Sequence, residues 1–441
     1  MTKEKSKVET ARERSFCVLP FIIRHSSFLI FFLTLLAARA DDWMDRIGDY
    51  LTVSAFHGNV RARVSGLADL EGYWIEQPSP GLIYTDDKVL LNPRLTLFLD
   101  AQFGARVYAF AQMRVDRGFD PGDDKADVRA DEYALRFTPW EDNRISVQVG
   151  KFGTVVGNWV ARHYSWDNPF ITAPLPYENL TGIWDHAAAT SADTLLDWGH
   201  VAYEEEEGEE SVKEGGGSPD KPLRVPIIWG PSYASGLSVF GRLGKIEYAA
   251  EIKNASLSSR PEYWAVSALD FDHPTVSARL GFRPNATWNF GVSASEGAYL
   301  LPEAGPTLPP GQSIGDYREL VLAQDASYEW HHLQIWAECY ETRFEVPNVG
   351  NADTLAYYIE GKYKITPQLF GALRWNQQLF DTVRDDEERL PWGNDLWRVD
   401  TSVGYRFTAY TQLKLQYSFQ REEGDPQDWS QTVAGQLTVK F

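Results

Sequence analysis

The sequence predicts an all-β protein: a transmembrane, antiparallel up-and-down β-barrel of about sixteen strands, with one long loop folded into its interior. Three observations lead to this fold class. Segments of alternating polar and apolar residues follow one another from residue 59 onward, their connections are alternately short and long, and the last segment alternates strictly. The mean hydropathy of -0.36 is compatible with this fold, because a barrel strand exposes only every second residue to lipid.

The first 40 residues are predicted to be a cleaved signal peptide. Basic residues precede the apolar run 28–36, and Ala38 and Ala40 form a small-x-small cleavage site. The run is too short to cross a bilayer as a helix, although a retained membrane anchor stays an alternative. We expect residues 41–57 to form a short periplasmic segment and residues 58–441 to form the barrel.

Alternation within each segment identifies the strands. In the segment 105–117, Val107 and Ala109 share one parity, whereas Arg106 and Gln112 share the other. Successive side chains of a strand point to opposite faces, so each segment has one apolar and one polar face. The predicted strands are 59–74, 94–101, 105–117, 128–137, 144–152, 237–243, 246–254, 275–282, 288–296, 318–328, 333–344, 354–364, 369–380, 396–407, 412–421 and 431–441.

The connections between these segments fall into two sets that alternate along the chain. The short set is 102–104, 138–143, 244–245, 283–287, 329–332, 365–368 and 408–411. The long, acidic and Gly/Pro-rich set is 75–93, 118–127, 153–236, 255–274, 297–317, 345–353, 381–395 and 422–430. Short turns at one end and long loops at the other are typical of a membrane barrel rather than of a Greek-key sandwich. The first and last strands are expected to pair and close the sheet.

The apolar parity is predicted to face lipid. It is almost free of charge in the later strands, as at Val399, Val403, Leu413 and Leu415. A charged residue in this position would cost roughly 2–4 kcal/mol at the middle of the bilayer. Cys339 shares the parity of its apolar neighbours, and is therefore expected to be a small lipid-facing residue rather than a nucleophile.

Composition excludes several classes of function. The net charge of -20 opposes nucleic-acid binding, which needs a basic surface. Once the leader is removed Cys339 is the remaining cysteine, so neither a disulfide nor a thiolate metal site is predicted. Neither a phosphate-binding glycine loop nor a Gly-x-Ser-x-Gly elbow occurs. We therefore expect no enzyme activity, no cofactor and no metal.

The polar parity carries many charges, and basic residues outnumber acidic ones. So many charges could not be buried dry, which indicates a water-filled interior. Pairing between neighbouring strands and selection of ions are both compatible with them. The predicted pore-lining residues are Arg106, Arg114, Glu132, Arg136, Arg279, Glu338, Lys362, Arg374, Arg398 and Arg406.

The connection 153–236 is much longer than the others, and its first half is rich in aromatic residues. So many aromatic side chains would be unfavourable in water. They favour a loop that packs inside the barrel. A loop of this kind would line the narrowest point, although an extracellular lid or a subunit contact stays an alternative. The candidate residues of this loop are Trp159, Arg162, Trp166, Asp167, Glu178, Trp184 and Asp185.

The closing strand carries a resemblance to a known class. Val433, Leu437, Val439 and Phe441 share one parity, and this pattern resembles the last strand of outer-membrane β-barrels, which ends on a phenylalanine. The architecture is similar to that of the general bacterial porins and, more loosely, to that of the phosphate-selective porin O/P family. In general porins the constriction loop follows the fifth strand, as 153–236 does here.

The resemblance implies passive diffusion of small hydrophilic solutes or ions across the outer membrane of a double-membraned bacterium. It also implies a homotrimer, contact with outer-membrane lipid and lipopolysaccharide, and a terminal signal at Val439 and Phe441 read by the barrel-assembly machinery. Two alternatives remain. One is a barrel that exports a polysaccharide, and the other is an exported soluble β-rich protein that binds or hydrolyses carbohydrate.

Overall fold

The computed structural model describes residues 41–76, 81–83, 85, 88–117, 127–200, 223–268, 271–385, 388–423 and 429–441. The predicted signal peptide, 1–40, lies outside the described residues. Within the described ranges, no helix is both long enough and apolar enough to cross a bilayer.

Sixteen long antiparallel strands form a closed barrel, so the predicted fold class and strand number are confirmed. They are β1 (Val60–Ile75), β2 (Val89–Phe103), β3 (Val107–Asp116), β4 (Asp127–Phe137), β5 (Ser146–Phe152), β6 (Ala234–Leu243), β7 (Ile246–Lys253), β8 (Thr275–Phe282), β9 (Trp288–Ala298), β10 (Arg318–Trp330), β11 (Leu333–Val346), β12 (Gly350–Lys364), β13 (Leu369–Phe380), β14 (Leu396–Arg406), β15 (Thr411–Glu422) and β16 (Trp429–Lys440). Each strand pairs with the next in sequence, and β1 also pairs with β16.

The closing seam depends on a glycine opposite the terminal aromatic residue. Leu67 lies opposite Lys440, and Gly66 and Phe441 exchange two backbone hydrogen bonds of 3.0 Å each. A Cβ atom at Gly66 would overlap the ring of Phe441. The absence of a side chain therefore lets the terminal ring lie against β1.

The segment before the barrel contains a short strand that the sequence pattern did not predict. Helix α1 (Asp41–Tyr50) leads into a short strand, Thr52–Ala55, which makes the sheet seventeen-stranded. This strand pairs with the first residues of β1, next to where β16 ends. The turn between them holds Phe56 and His57 at φ 51° and 58°, a conformation that non-glycine residues seldom adopt.

The outer surface follows the predicted parity. Val403 and Leu415 are 53% and 58% exposed, whereas their strand neighbours Ser402 and Gln416 are buried inside. Aromatic rings form stacked pairs on this face, including Trp288 with Phe290 at 5.4 Å between ring centres. Apolar side chains that remain exposed over a closed sheet indicate contact with lipid. The short connections lie together at what we call the turn end, and the long ones lie at the loop end. The connection 345–353, predicted to be long, is an exception, because β11 and β12 extend until only residues 347–349 join them.

Buried apolar side chains lie inside the barrel and at its loop end rather than between two sheets. Strand Leu180–Trp184 pairs with Arg224–Pro226, and α2 (Ala192–His200) packs against this small sheet. The cluster includes Leu195, Trp264 and other fully buried residues of the long loops. The interior of the barrel is therefore largely occupied by its own loop.

Candidate functional site

The loop that follows β5 turns into the lumen at Gly157. This residue has φ +73°, and a Cβ atom there would overlap the hydroxyls of Tyr340 and Tyr177. Both the positive φ and the close approach require glycine at this position. The first step of the inward fold therefore depends on a residue without a side chain.

Glu338 of β11 holds the first crossing of the loop. Its Oε1 accepts hydrogen bonds from the backbone N–H groups of Asn158 and Trp159, the latter at 2.8 Å. Its Oε2 accepts from the hydroxyls of Tyr177 at 2.9 Å and Tyr340 at 2.8 Å. Four donors satisfy this buried carboxylate, so its desolvation is offset by hydrogen bonds that fix the loop.

Arg162 continues the attachment to the next strand. Its guanidinium contacts Glu360 and lies 3.0 Å from the hydroxyl of Tyr358, both on β12. The guanidinium also lies 4.5 Å from the centre of the Trp336 ring. The ring of Trp159, buried next to it, is tilted against that of Tyr177, with 4.5 Å between the ring centres. These residues fasten the loop to the wall rather than facing open solvent.

The loop then reaches the opposite wall. The hydroxyl of Tyr164 lies 2.6 Å from Gln112 of β3 and 3.1 Å from Glu132 of β4. His163 lies beside it, and its Nε2 accepts a hydrogen bond of 2.6 Å from the hydroxyl of Tyr233. Burial lowers the pKa of His163 to about 3, so the imidazole is neutral. The sequence pattern did not identify Tyr164, which bridges the lumen.

The next residues of the loop run along β14 and β15 towards the loop end. Lys414 donates to the carbonyl groups of Asn168 and Phe170, each at 2.9 Å, and Ser402 donates to that of Pro169 at 2.7 Å. Trp166 lies between two cations. The guanidinium of Arg406 is 4.9 Å from the centre of the Trp166 ring, and Nζ of Lys440 is 4.5 Å from it.

A buried charge cluster completes the attachment. Asp400 accepts from Nε of Arg374 at 2.8 Å and lies 3.2 Å from Nε of Arg398. Arg398 also lies 3.3 Å from Glu178 of the loop, and Arg374 donates to the hydroxyl of Thr172 at 3.0 Å. Burial raises the pKa of Glu178, and Arg398 opposes that rise. Burying these charges costs desolvation energy, which their mutual pairing must offset.

The pore-lining interpretation needs correction for four residues. Arg374 and Arg398 are 0% and 2% exposed, and Glu338 is also covered by the loop. Lys362 is 7% exposed, with Nζ 4.5 Å from the centre of the Phe370 ring. Parity correctly indicated that these side chains point inward, but it could not show that the loop and its neighbours would shield them from water.

Other predicted residues do reach the unfilled part of the lumen. A cavity of about 830 Å³ extends to the turn end and is lined by Glu132, Arg136 and Arg279, among others. Arg279 donates to Asp325 at 2.6 Å. Arg106 is exposed in the turn before β3.

The loop residues also divide into two groups. Asp167 is exposed within the lumen segment, whereas Trp184 and Asp185 lie among the long loops at the loop end. Trp184 stacks on Trp198 at 4.3 Å, and Asp185 accepts from Arg260 at 2.9 Å. The last two were predicted to line the narrowest point, and this position is wrong for them because the chain has by then left the lumen.

A second inward charge cluster lies on β1–β4, and the sequence pattern predicted Arg114 of this cluster but neither Arg94 nor Arg129. Arg94 pairs with Asp69 at 3.2 Å, and Arg129 pairs with Asp116 at 2.7 Å and Asp131 at 3.1 Å. The arginine side chains of this cluster are 12% to 17% exposed. A bulge between Gln112 and Met113 shifts the pairing of β4 by one residue, which changes the parity that the sequence pattern uses.

Comparisons with known proteins identify the fold. No family model matches the sequence, and no curated protein matches it. The chain is similar to OmpF from Salmonella typhi, solved with daunomycin, with a TM-score of 0.53 and 10% identity over 88% of this chain and 100% of that chain. It is similar to the anion-selective porin from Comamonas acidovorans, with a TM-score of 0.51 and 10% identity over 87% and 100%. The outer-membrane channel DcaP of Acinetobacter baumannii gives 0.51 and 11% over 88% and 100%. At these identities the likeness establishes the fold.

Within the described residues, no group of three or more His, Cys, Asp or Glu side chains is arranged to hold a metal ion.

Proposed function

We propose that this protein is an outer-membrane channel of the porin type, through which small hydrophilic solutes or ions diffuse passively. One observation carries the proposal. The closed wall is apolar outside and charged inside, and the loop leaves an unfilled cavity of about 830 Å³ at the turn end. A charged interior needs water, and sixteen strands enclose enough space for an aqueous channel.

The loop is the constriction in this proposal. It is fastened along the inner faces of β11–β15, which we call the loop-bound wall, through Glu338, Arg374, Arg398 and Lys414. The inner faces of β3–β8, which we call the cavity wall, are left open beside it. Solutes would pass along the cavity wall and meet their narrowest point beside the contact of Tyr164 with Gln112 and Glu132.

The location follows from the outer face. Exposed apolar side chains such as Leu373, Val403 and Leu415 would be unfavourable in water and suit lipid. We propose that the signal 1–40 directs export, and that Val439 and Phe441 are recognised by the barrel-assembly machinery. Lipid and lipopolysaccharide would then surround the apolar outer face of the barrel.

A homotrimer is the proposed assembly. The outer face near the seam combines small residues, Ala68, Gly72 and Gly435, with exposed apolar ones such as Leu70 and Val433. An apolar face of this kind suits contact with a neighbouring barrel. Chemical cross-linking of the detergent-solubilised protein should yield a trimer band, and a monomer alone would contradict this assembly.

A polysaccharide exporter is less consistent with the geometry. It would need a wide lumen with a loop that opens, whereas this loop is held by buried hydrogen bonds and ion pairs over much of its path. A soluble carbohydrate-binding protein would have no use for an apolar outer wall. Extraction from the envelope by detergent, together with altered gel mobility before heating, would distinguish the barrel from a soluble protein.

The function is tested by reconstitution of the mature protein in a planar bilayer. We expect discrete conductance steps in a salt solution, and heat-denatured protein is the control. A folded protein that gives no conductance would contradict the proposal. The reversal potential under a salt gradient then reports the sign of the preferred ion.

A further inference from the structure

Arg136 of β4 differs from inward arginines such as Arg279 and Arg398, and like Arg406 it is held by a glutamine. Its Nε and Nη2 donate to Oε1 of Gln148, at 3.0 Å and 2.8 Å, and this partner is uncharged. Among the described residues, no carboxylate lies within ion-pair distance of it, whereas Arg279 and Arg398 have Asp325 and Asp400. The positive charge of Arg136 is therefore not held in a direct ion pair.

Aromatic rings surround this guanidinium. Its central carbon lies 5.4 Å from the ring centre of Tyr108, 5.8 Å from that of Phe110 and 5.0 Å from that of Phe240. All three rings line the cavity of about 830 Å³. Cation–π contacts of this kind hold the guanidinium in place without cancelling its charge.

The nearby carboxylates are already engaged. Oε1 of Glu132 accepts from the N–H of Gly153 at 2.9 Å, and Oε2 lies 3.1 Å from the hydroxyl of Tyr164. Glu247 lies 3.5 Å from Arg283. The cavity is also lined by Arg242, which donates to a backbone carbonyl, so its lining contains the three arginines Arg136, Arg242 and Arg279 beside these two glutamates.

We propose that Arg136, with Tyr108, Phe110 and Phe240, forms a binding site for small organic anions that have a flat apolar body, such as aromatic carboxylates. The proposal rests on the channel function, because the site lies on the proposed route along the cavity wall. A carboxylate would satisfy the unpaired charge, and the rings would provide stacking surface for the body of the solute. A neutral ring compound lacks the first contact, and a small inorganic anion lacks the second.

Direct binding can be measured without conduction. Benzoate is titrated into the full mature protein in detergent, with acetate and benzyl alcohol as probes that each lack one contact. We expect benzoate to bind most tightly, and Arg136→Gln to weaken it by at least about tenfold, which is typical of a lost charge-assisted contact. Phe240→Leu should weaken benzoate but leave acetate unchanged.

Arg144→Gln is the matched control, because it removes the same charge from an exposed turn at the same end of the barrel, outside the cavity lining. It should bind benzoate like the unaltered protein. Arg136→Lys keeps the charge at this position. It therefore shows whether weaker binding by Arg136→Gln reflects the lost charge or a folding defect. Equal benzoate binding by Arg136→Gln and the unaltered protein, or equal binding of acetate and benzoate, would overturn the site.

The two proposals fail in different ways. If the protein conducts ions but benzoate does not bind, the site is wrong and the channel stands. If benzoate binds in detergent with the expected dependence on Arg136 but bilayers show no conductance, the site stands and the channel is wrong. When both hold, benzoate should lower the current, and Arg136→Gln should relieve this block.

Discussion

Two walls of the same barrel use the same residue type in opposite ways. On the loop-bound wall, Arg398 is 2% exposed and is enclosed by Asp400, Glu178 and the carbonyl of Ala173. On the cavity wall, Arg136 has an amide and three rings around it and faces an unfilled space. Both point inward by parity. The difference arises from the loop, which covers Arg398 and leaves Arg136 facing the cavity.

Removing the loop should erase this difference and give the largest effect. Deletion of Thr154–Asp185 uncovers Glu338, Arg374 and Arg398 and should raise single-channel conductance several-fold, because it widens the narrowest cross-section. Deletion of residues 309–312, in an exposed external turn, is the control and should leave conductance unchanged. Unchanged conductance in the loop deletion would place the loop outside the conducting path.

Removing one arginine from each wall should separate the two roles. Arg398→Gln leaves Asp400 and Glu178 buried with fewer partners, and we expect a loss of about 3–5 kcal/mol in the free energy of unfolding. Arg136→Gln breaks no ion pair and should cost much less. Urea unfolding in detergent, followed by tryptophan fluorescence, measures both. Equal losses would contradict the contrast between the walls.

The turn at Gly157 should be less critical but still measurable. Gly157→Ala introduces a Cβ atom at φ +73° that overlaps the hydroxyls of Tyr177 and Tyr340, which should cost about 1–3 kcal/mol. Gly311→Ala, at φ +84° with open space around it, carries the backbone strain without the overlap. Protease sensitivity of the loop should rise in the first variant more than in the second, and an equal rise would assign the effect to strain alone.

Acidification gives the smallest effect. Burial lowers the pKa of His163 from 6.5 to about 3, so protons bind the unfolded chain first. Its contribution is complete above pH 6.5 and is lost as the pH falls towards 3, by about 1.4 kcal/mol per pH unit. Between pH 7.5 and 5.5, roughly the range where this loss begins, His163→Gln should show a weaker decline in melting temperature than the exposed control His332→Gln. Identical declines would mean that His163 is not buried as a neutral imidazole.

Period-two alternation was sufficient to predict the barrel and its strands, because each strand has an apolar face outside and a polar face inside. The length and aromatic content of the fifth connection predicted that it folds inward, since residues such as Trp159 and Trp166 are unfavourable in water. Strand limits were less accurate. β2 was predicted to begin at residue 94, but its pairing to β1 continues through Pro93 to Val89.

The division of the lumen into two walls could not be predicted from the pattern. Parity gives the same direction to Arg374 and Arg136, and only the path of the loop decides which is covered. Arg129 and Asp131 were missed because the bulge in β4 shifts their parity by one residue. Tyr164 was missed because its role depends on Gln112 and Glu132, which are distant in sequence.

The central claim is that solutes pass along the cavity wall and not along the loop-bound wall. Two inward alanines test it in a background where the lipid-facing Cys339 is replaced by serine. Ala249 lines the cavity, whereas Ala356 is 0% exposed beneath the loop. A charged thiol reagent should reduce the single-channel current of Ala249→Cys and leave that of Ala356→Cys unaltered. A current lowered in Ala356→Cys, or unaffected in Ala249→Cys, would contradict the account.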